Sequence, residues 1–404
     1  MTFDDYNSTN SKSLAAYGSY APKEIVSGTA ATCIAGDGVE YLDLGMALGS
    51  VLLGYANPEV DSYVIEIIKR GINFSRPSSM ERLLSEKISA MIDQNDTLVR
   101  YAKSSSVLAA SLPRVTRAIT GKQFIAYPKN CFLGNADWYH SKNYNHAGTL
   151  TETKEKTKSF TNGCIRSLNE LFTDHGTDLA MIIMEPYRDR LFSSEFYLRV
   201  RELCDKYQTI LVFDETVTGF RFFYPLAQYQ TPIQSDLTIV GKAIANGYSI
   251  AGLIGKQHLL REIETQNNKG YLFDFSTTHA GENVGLAASI ITTSIISRDD
   301  VVGRILASGR RLKSNLQKVI EHYDLAATMA LTGHESYFKI EFGFDSRAKL
   351  ARNLLLKHFY KHNILCRGVM ALSIAHTDKQ LQRVTDSFED YCRNLSESSR
   401  CIQN

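Results

Sequence analysis

Short apolar runs that end abruptly on charged residues dominate the middle of the chain. Residues 209–213 have the length and β-branched composition of a strand buried on both faces, and this run stops at Asp214. A second run, 237–240, stops at Gly241 and Lys242. Similar strands are predicted at 99–103, 124–127 and 179–184. Because stretches of helical spacing alternate with these strands, the pattern predicts a doubly wound, mostly parallel α/β sheet.

The strand ends carry the candidate chemistry, a carboxylate on Asp214 and an ammonium group on Lys242. Open parallel sheets bind ligands in the crevice at the carboxyl ends of their strands. A charge buried there costs free energy unless a partner compensates it. Pyridoxal phosphate would compensate both, because an acid stabilises its ring nitrogen as a cation and its aldehyde condenses with a lysine. The plainer alternative is an ordinary strand end and a surface lysine.

The string F-D-E-T-V-T-G-F-R at 213–221 is followed by Asp236-Leu237 and by Gly241-Lys242. Together these residues resemble the signature of class III, fold-type I aminotransferases, especially the glutamate-1-semialdehyde aminomutase branch. The resemblance implies that Asp214 is the partner of the pyridine nitrogen, that Lys242 is the Schiff-base lysine, and that Thr216 binds the cofactor. It also implies the fold-type I transferase architecture, in which a large domain with a mostly parallel doubly wound sheet is joined to a smaller α+β domain.

Three serines precede a helix that we expect to start at Val107. Hydroxyl and unpaired backbone N–H groups at a helix N-terminus suit a phosphate dianion. The resemblance assigns the cofactor phosphate to Ser105 and Ser106, although Ser105 replaces the family's glycine and Val107-Leu108 its Glu-Ala pair. The alternative is that both serines are plain N-caps. Pro113 inside this helix costs about 3 kcal/mol unless the helix is kinked or begins later.

The resemblance assigns three further residues to the cofactor site. Phe132 stands where the family stacks an aromatic ring on the cofactor, with Leu133 in place of the usual histidine; a core phenylalanine is the alternative. Glu185 ends the run 179–184, where the family keeps an acidic residue. Thr278 aligns with a threonine that reaches the cofactor phosphate of the neighbouring subunit, which implies a homodimer with shared active sites.

Three other features bear on the active site or on metal binding. The span 140–162 is polar and unpatterned, and it occupies the place of a gating loop over the active site in related enzymes. Glu282 either touches substrate or caps the following helix. His358 and His362 share a helix face, and a solvated face is favoured over a ligand pair, so no metal site is expected.

Length and composition narrow the class of protein. A chain of 404 residues is long for a single core, so more than one domain is expected. The resemblance implies the division: an N-terminal arm and hairpin at 1–45 packing with the small domain, a large cofactor-binding domain at 46–297, and the small domain at 298–404. With 45 basic and 43 acidic residues, the net charge of +2 favours neither nucleic acid nor an anionic membrane as partner. Scattered cysteines without a C-x-x-C pair, and the lack of a signal-like start or long apolar span, predict a cytoplasmic protein.

The activity implied by the resemblance is amino-group transfer between an amine donor and a small carbonyl acceptor, with pyridoxal 5′-phosphate bound at Lys242. In an aminomutase of the glutamate-1-semialdehyde type, one molecule would supply both groups. A third possibility is a cofactor-binding protein without turnover, suggested by the altered loop at 104–108 and by Pro113.

Overall fold

The computed structural model describes residues 12, 17–18, 20–92, 96–140, 147–265, 276–343 and 348–403. Most of the predicted N-terminal arm, residues 1–20, lies outside the described residues. The chain divides into two compact units, one formed by 1–61 with 295–404 and the other by 62–294. The domain borders predicted after residues 45 and 297 stay a prediction.

Strands and helices alternate through most of the described chain. The strands are β1 Ile25–Thr29, β2 Thr32–Ala35, β3 Glu40–Asp43, β4 Thr97–Ala102, β5 Phe124–Pro128, β6 Thr157–Phe160, β7 Leu179–Met184, β8 Ile210–Asp214, β9 Leu237–Val240, β10 Ala251–Lys256, β11 Met329–His334, β12 Tyr337–Phe342, β13 Ile364–Leu365 and β14 Val369–Ala371. The helices are α1 Met46–Gly49, α2 Pro58–Ile68, α3 Ser79–Met91, α4 Ser105–Thr120, α5 Asp137–His140, α6 Thr151–Lys156, α7 Ile165–His175, α8 Ser194–Tyr207, α9 Gln257–Thr265, α10 Asn283–Arg298, α11 Val301–His322, α12 Ala348–Lys361 and α13 Asp378–Gln403. Among the described helices, none has both the length and the apolar composition of a membrane span.

A seven-stranded sheet organises the unit 62–294, with the strand order β4-β10-β9-β8-β7-β5-β6. The pairs from β9 to β6 are parallel, whereas β10 runs antiparallel to both of its neighbours. This topology confirms the predicted mostly parallel α/β fold. Since β8 and β9 are adjacent and parallel, their carboxyl ends lie at the same edge of the sheet.

Both faces of this sheet are covered, which explains why its central strands are apolar without alternation. Ile183 and Val212 point into one buried cluster, which Leu108 and Leu112 of α4 complete. The neighbouring residues of the same strands point into a second cluster formed with α7 and α8. A charge at the end of such a strand therefore lies beside a dry core.

The unit formed by 1–61 and 295–404 contains two small sheets, β1-β2-β3-β13 and β11-β12-β14, together with the long helices α11, α12 and α13. Its hairpin of β2 and β3 matches the predicted glycine-containing turn, and β12 has the predicted bounds 337–342. The final helix, predicted to end near Leu395, continues to Gln403.

The expectation of a loop over 140–162 is wrong for part of this span. Residues 141–146 lie outside the described part, but α6 and the edge strand β6 follow, and β6 pairs in parallel with β5. Only Thr157 and Phe160 of β6 are buried. Two buried positions in four residues are too few to produce a strand-like apolar pattern in the sequence.

The sequence predicted that helix α4 starts at Val107, or later because of Pro113. Both predictions are wrong: the helix starts at Ser105 and runs through the proline to Thr120. Proline has no N–H to donate to the carbonyl of Ala109, four residues earlier. The buried hydroxyl of Tyr139, on α5, donates a hydrogen bond of 2.7 Å to that carbonyl instead. The tyrosine thus satisfies the group that the proline leaves without a helical partner.

Removing this hydroxyl with Tyr139→Phe is expected to lower the free energy of unfolding by about 1–3 kcal/mol, because a buried carbonyl loses its donor. Chemical denaturation of the variant measures the loss. In a Pro113→Ala background the helix N–H returns, so the same tyrosine substitution should cost clearly less. Equal costs in both backgrounds would contradict this role of Tyr139.

Candidate active site

Asp214 and Lys242 lie at the ends of the adjacent strands β8 and β9. Asp214 is in register with Ile239, and Lys242 follows three residues later as the first residue of a 3₁₀ turn, Lys242–Ala245. The backbone of Lys242 is left-handed, with φ of 46°. Such a conformation costs a non-glycine residue on the order of 1–3 kcal/mol and clusters at functional sites.

The carboxyl of Asp214 is buried and receives two hydrogen bonds from Thr216 at its Oδ1, from the backbone N–H at 2.9 Å and from the hydroxyl at 2.5 Å. Burial raises the pKa of Asp214 above its ordinary value, against the opposing effects of Thr216 and of the positive charge on Lys242. The two groups predicted as catalytic therefore share one electrostatic environment.

The next carboxylate, Glu215, has a structural role. It is fully buried and accepts hydrogen bonds from the backbone N–H groups of Ala227 and Gln228 at 2.5 and 2.9 Å and from the Thr218 hydroxyl at 3.0 Å. Desolvation raises its pKa to about 7 despite these donors. Glu215 thus ties the chain after β8 to the segment around 227–228.

The serines lie at the start of α4, beside the lysine loop. Ser104 occupies the N-cap position and makes no capping side-chain bond, whereas Ser105 and Ser106 are in the first turn, so the plain N-cap alternative is wrong for them. A Cβ added at Gly241 would lie 2.6 Å from Ser105 Oγ and 3.6 Å from Thr216 Cγ2. Ser105, Thr216 and the residue before Lys242 are therefore in close contact.

Phe132 is 71% exposed, so the alternative of a core phenylalanine is wrong. Its segment nevertheless adjoins the serines, because a Cβ added at Gly134 would lie 3.0 Å from Ser106 Oγ. The preceding thiol, Cys131, is buried, and burial together with the negative charges of Glu185 and Asp214 raises its pKa to about 12. The segment that carries this exposed aromatic ring thus adjoins Ser106 on one side and lies within electrostatic reach of Asp214 on the other.

Glu185 follows β7 and forms an ion pair of 3.0 Å with Arg188. Desolvation raises the pKa of Glu185 to about 7; Arg188 and Lys242 oppose this rise, and Asp214 adds to it. Glu185 is therefore close enough to both predicted catalytic groups to respond to their charges. Sequence reasoning missed Arg188, because the pairing of opposite charges three residues apart is a helix rule and residues 185–188 lie outside any helix.

Glu282 is a helix cap. Its carboxylate accepts hydrogen bonds of 3.0 Å from the backbone N–H groups of Val284 and Gly285 at the start of α10, and it pairs with Lys103. Burial alone would raise the pKa of Glu282, but these partners hold it below its ordinary value. Lys103, which sequence reasoning missed, directly precedes the three serines and so links them to α10.

Thr278 is exposed, and its carbonyl accepts a hydrogen bond of 2.8 Å from Asn73 Nδ2. The described contacts do not connect Thr278 with Lys242 or with the serines. The structure therefore brings together the predicted residues on β7, β8, β9 and the start of α4, with Thr278 outside this group.

The sequence profile of the class-III aminotransferases matches residues 20–389. The chain belongs to this family. Among its relatives, the glutamate-1-semialdehyde 2,1-aminomutase of Persephonella marina is 26% identical over 386 residues, which cover 89% of this chain and 88% of that one. The 3-aminobutyryl-CoA aminotransferase of Cloacimonas acidaminovorans is 29% identical over 374 residues, with coverages of 88% and 85%.

Solved structures show the same fold for this aminotransferase. The FumI protein of Sphingopyxis sp. MTA144, solved in its PLP internal aldimine form, matches with a TM-score of 0.86 at 23% identity over 96% of this chain and 92% of that chain. A glutamate-1-semialdehyde aminomutase from Pseudomonas aeruginosa PAO1 matches with a TM-score of 0.80 at 17% identity, covering 92% and 87%. The fold-type I assignment is confirmed.

The enzyme is a pyridoxal 5′-phosphate-dependent transaminase or aminomutase of class III. The residues at the strand ends fit this cofactor chemically. A buried carboxylate suits a cationic ring nitrogen, a lysine suits an aldehyde, and hydroxyls at the start of the 16-residue helix α4 suit a phosphate. Ser105 contributes a hydroxyl group to the first turn of this helix.

Proposed function

We propose that Lys242 and Asp214 are the catalytic pair of an aminotransferase that moves an amino group from an amine donor to a small carbonyl acceptor. The observation that carries this proposal is their common position at the ends of two adjacent parallel strands, where the positive charge of Lys242 acts to lower the pKa of Asp214. Burying the Asp214 carboxyl and holding Lys242 in a left-handed backbone conformation both cost stability. Such costs cluster at functional sites.

When bound, the cofactor supplies an electron sink for the substrate carbon that loses its proton. Lys242 Nζ would take that proton and pass it to the carbon that carried the cofactor's aldehyde oxygen, a general-base role worth about 10² to 10⁴ in rate. The Asp214 carboxylate, oriented by its two bonds from Thr216, stabilises the protonated ring nitrogen. Its burial strengthens this interaction, because few waters remain to screen the charge.

The other proposed roles concern binding. Ser105 and Ser106 hold the phosphate with the first turn of α4, and Phe132 offers its exposed ring as a flat surface for the cofactor. Thr216 orients Asp214, and Glu185 adjusts the charge around the pair through its interaction with Arg188.

A second candidate function is an aminomutase, in which a single amino-aldehyde is both donor and acceptor. The support is that several relatives at 25–28% identity over most of this chain carry the name glutamate-1-semialdehyde 2,1-aminomutase. The 3-aminobutyryl-CoA aminotransferase supports the two-substrate reaction, which we favour.

The experiment is to mix cofactor-loaded enzyme with a panel of amino donors and to follow the visible absorption of the cofactor. We expect one class of donor to convert the cofactor to its amine form, and a separate carbonyl acceptor to restore the starting spectrum. Recovery without any added acceptor, with one amino-aldehyde isomerised, would instead support the mutase. A spectrum that no donor changes would contradict both reactions and favour a binder without turnover.

We further propose a homodimer in which Thr278 serves the partner's cofactor phosphate. Asn73 ties Thr278 to the segment around 72–74, where the apolar side chains of Ile72 and Phe74 are 46% and 53% exposed. An exposed apolar cluster suits a surface covered by a second copy. The hydrogen bond from Asn73 to the carbonyl of Thr278 places Thr278 beside Ile72 and Phe74.

Mixing Lys242→Ala chains with Thr278→Ala chains tests the shared sites. In a mixed dimer, one site would combine an intact Lys242 with an intact Thr278 from the other chain. We therefore expect cofactor affinity and activity close to wild type in that one site. Dimers of Lys242→Ala chains alone, or of Thr278→Ala chains alone, should lack such a site. Mixed dimers without any restored site would show that each chain completes its own site.

A further inference from the structure

Two helices of the unit formed by 1–61 and 295–404 bring two histidines and one carboxylate together. His358 and His362 lie one turn apart on α12, with ring centroids 4.4 Å from each other. Asp390, on α13, faces them, and one ligand atom from each of the three side chains lies within 4.8 Å of the other two. The sequence showed the histidine pair but not the carboxylate, because 28 or more residues separate them along the chain.

His358 presents a ring nitrogen without a hydrogen-bonding partner. Its Nε2 is buried and makes no hydrogen bond to any of the described residues. The backbone of Ser387 accepts a hydrogen bond from the ring, and because Nε2 makes none, we assign this donor to Nδ1. This arrangement leaves the lone pair of Nε2 free, as in histidines whose second nitrogen is fixed by a carbonyl and whose first binds a metal.

The carboxylate of Asp390 does not satisfy this nitrogen. Its Oδ2 lies 3.7 Å from Nε2, which is too far for a hydrogen bond. The other oxygen, Oδ1, is engaged by Arg393 at 3.4 Å, so that Oδ2 remains directed at the histidine. The gap matches what an ion between the two atoms requires, since ligands of tetrahedral zinc are about 3.4 Å apart.

We propose that His358, His362 and Asp390 bind one divalent transition-metal ion, best Zn²⁺, through Nε2 of His358, one ring nitrogen of His362 and Oδ2 of Asp390. Two histidines at i and i+4 on one helix face with a carboxylate from a second element form a set that suits zinc and its neighbours, with water in the fourth position. The ion would join α12 to α13 at a place distant in sequence from the catalytic residues.

Binding of Zn²⁺ to cofactor-loaded enzyme, stripped of metal by chelator and dialysed, tests this site. Isothermal titration should show one ion bound per chain at low micromolar free zinc. In His358→Gln, His362→Gln and Asp390→Asn, we expect binding to weaken at least about tenfold. His322→Gln is the matched control, because His322 ends a different helix with its ring against Tyr323, and it should bind as wild type does.

Two further readouts keep the result independent of folding defects in any one variant. Co²⁺ bound in place of zinc should give the strong visible bands of a four-coordinate site in wild type and in the control, but not in the three ligand variants. Zinc should raise the Tm of wild type with increasing concentration, because the ion binds only the folded helix pair. Equal affinity in wild type and all ligand variants, or no ion bound at all, would overturn the proposal.

Discussion

Lys242→Ala is expected to lower kcat/KM for amino transfer by about 10⁴-fold or more. The variant loses both the amine that holds the cofactor aldehyde and the base that moves the substrate proton. Because Lys242 begins a short turn at the sheet edge, the truncation leaves the strands intact. Steady-state kinetics with the donor and acceptor found in the panel give the measurement.

A second lysine of the same sheet provides the control for this prediction. Lys256 ends β10 and pairs with Asp236 at 3.2 Å, so Lys256→Ala should keep nearly full activity. Small primary amines added to the Lys242→Ala enzyme should restore part of the rate, since they can act as a base in the space left by the side chain. An alanine variant that retains a tenth of the wild-type activity would show that another group moves the proton.

Asp214→Asn is expected to lower kcat by about 10²- to 10³-fold, the range found when one preorganised electrostatic partner is removed. Asparagine keeps an oxygen that accepts both bonds from Thr216, so the substitution removes the charge and leaves the local geometry. The expected cause is that, without the negative charge, the ring nitrogen of the cofactor is protonated less readily. The absorption spectrum of the bound cofactor, measured with kcat, reports this change directly.

The charge itself is tested by two comparisons. Asp214→Glu retains the negative charge and should recover part of the loss. Asp205→Asn removes a carboxylate from the exposed end of α8, where it pairs with Arg201, and should leave kcat unchanged. If Asp214→Asn were as active as wild type, the acid would have no part in the reaction.

Much of the large unit followed from the sequence because its central strands are buried on both faces. Runs such as 179–184 and 210–213 are apolar throughout, so their bounds and their charged ends are visible without any structure. The same reasoning placed Asp214 and Lys242 at the sheet edge. The short edge strand β6 escaped this reasoning because half of its four positions are only partly buried.

The details around α4 show where local reasoning failed. Pro113 predicted a kink or a late start, yet the helix continues because Tyr139 supplies the missing donor from a different element. The bonds of Glu282 to the N–H groups of Val284 and Gly285 identify it as a cap, and it also pairs with Lys103, 179 positions earlier. No sequence pattern links Tyr139 to Ala109 or Lys103 to Glu282.

The sequence by itself determined five of the seven strands of the large sheet, the charged residues at the ends of β7, β8 and β9, and the family signature, because each depends on neighbours within a few residues along the chain. Only the tertiary structure decided which distant groups meet: Ser105 with Gly241, Tyr139 with Ala109, and Asp390 with His358. The physical reason is that packing brings these side chains together through helices and strands whose relative placement no local pattern records.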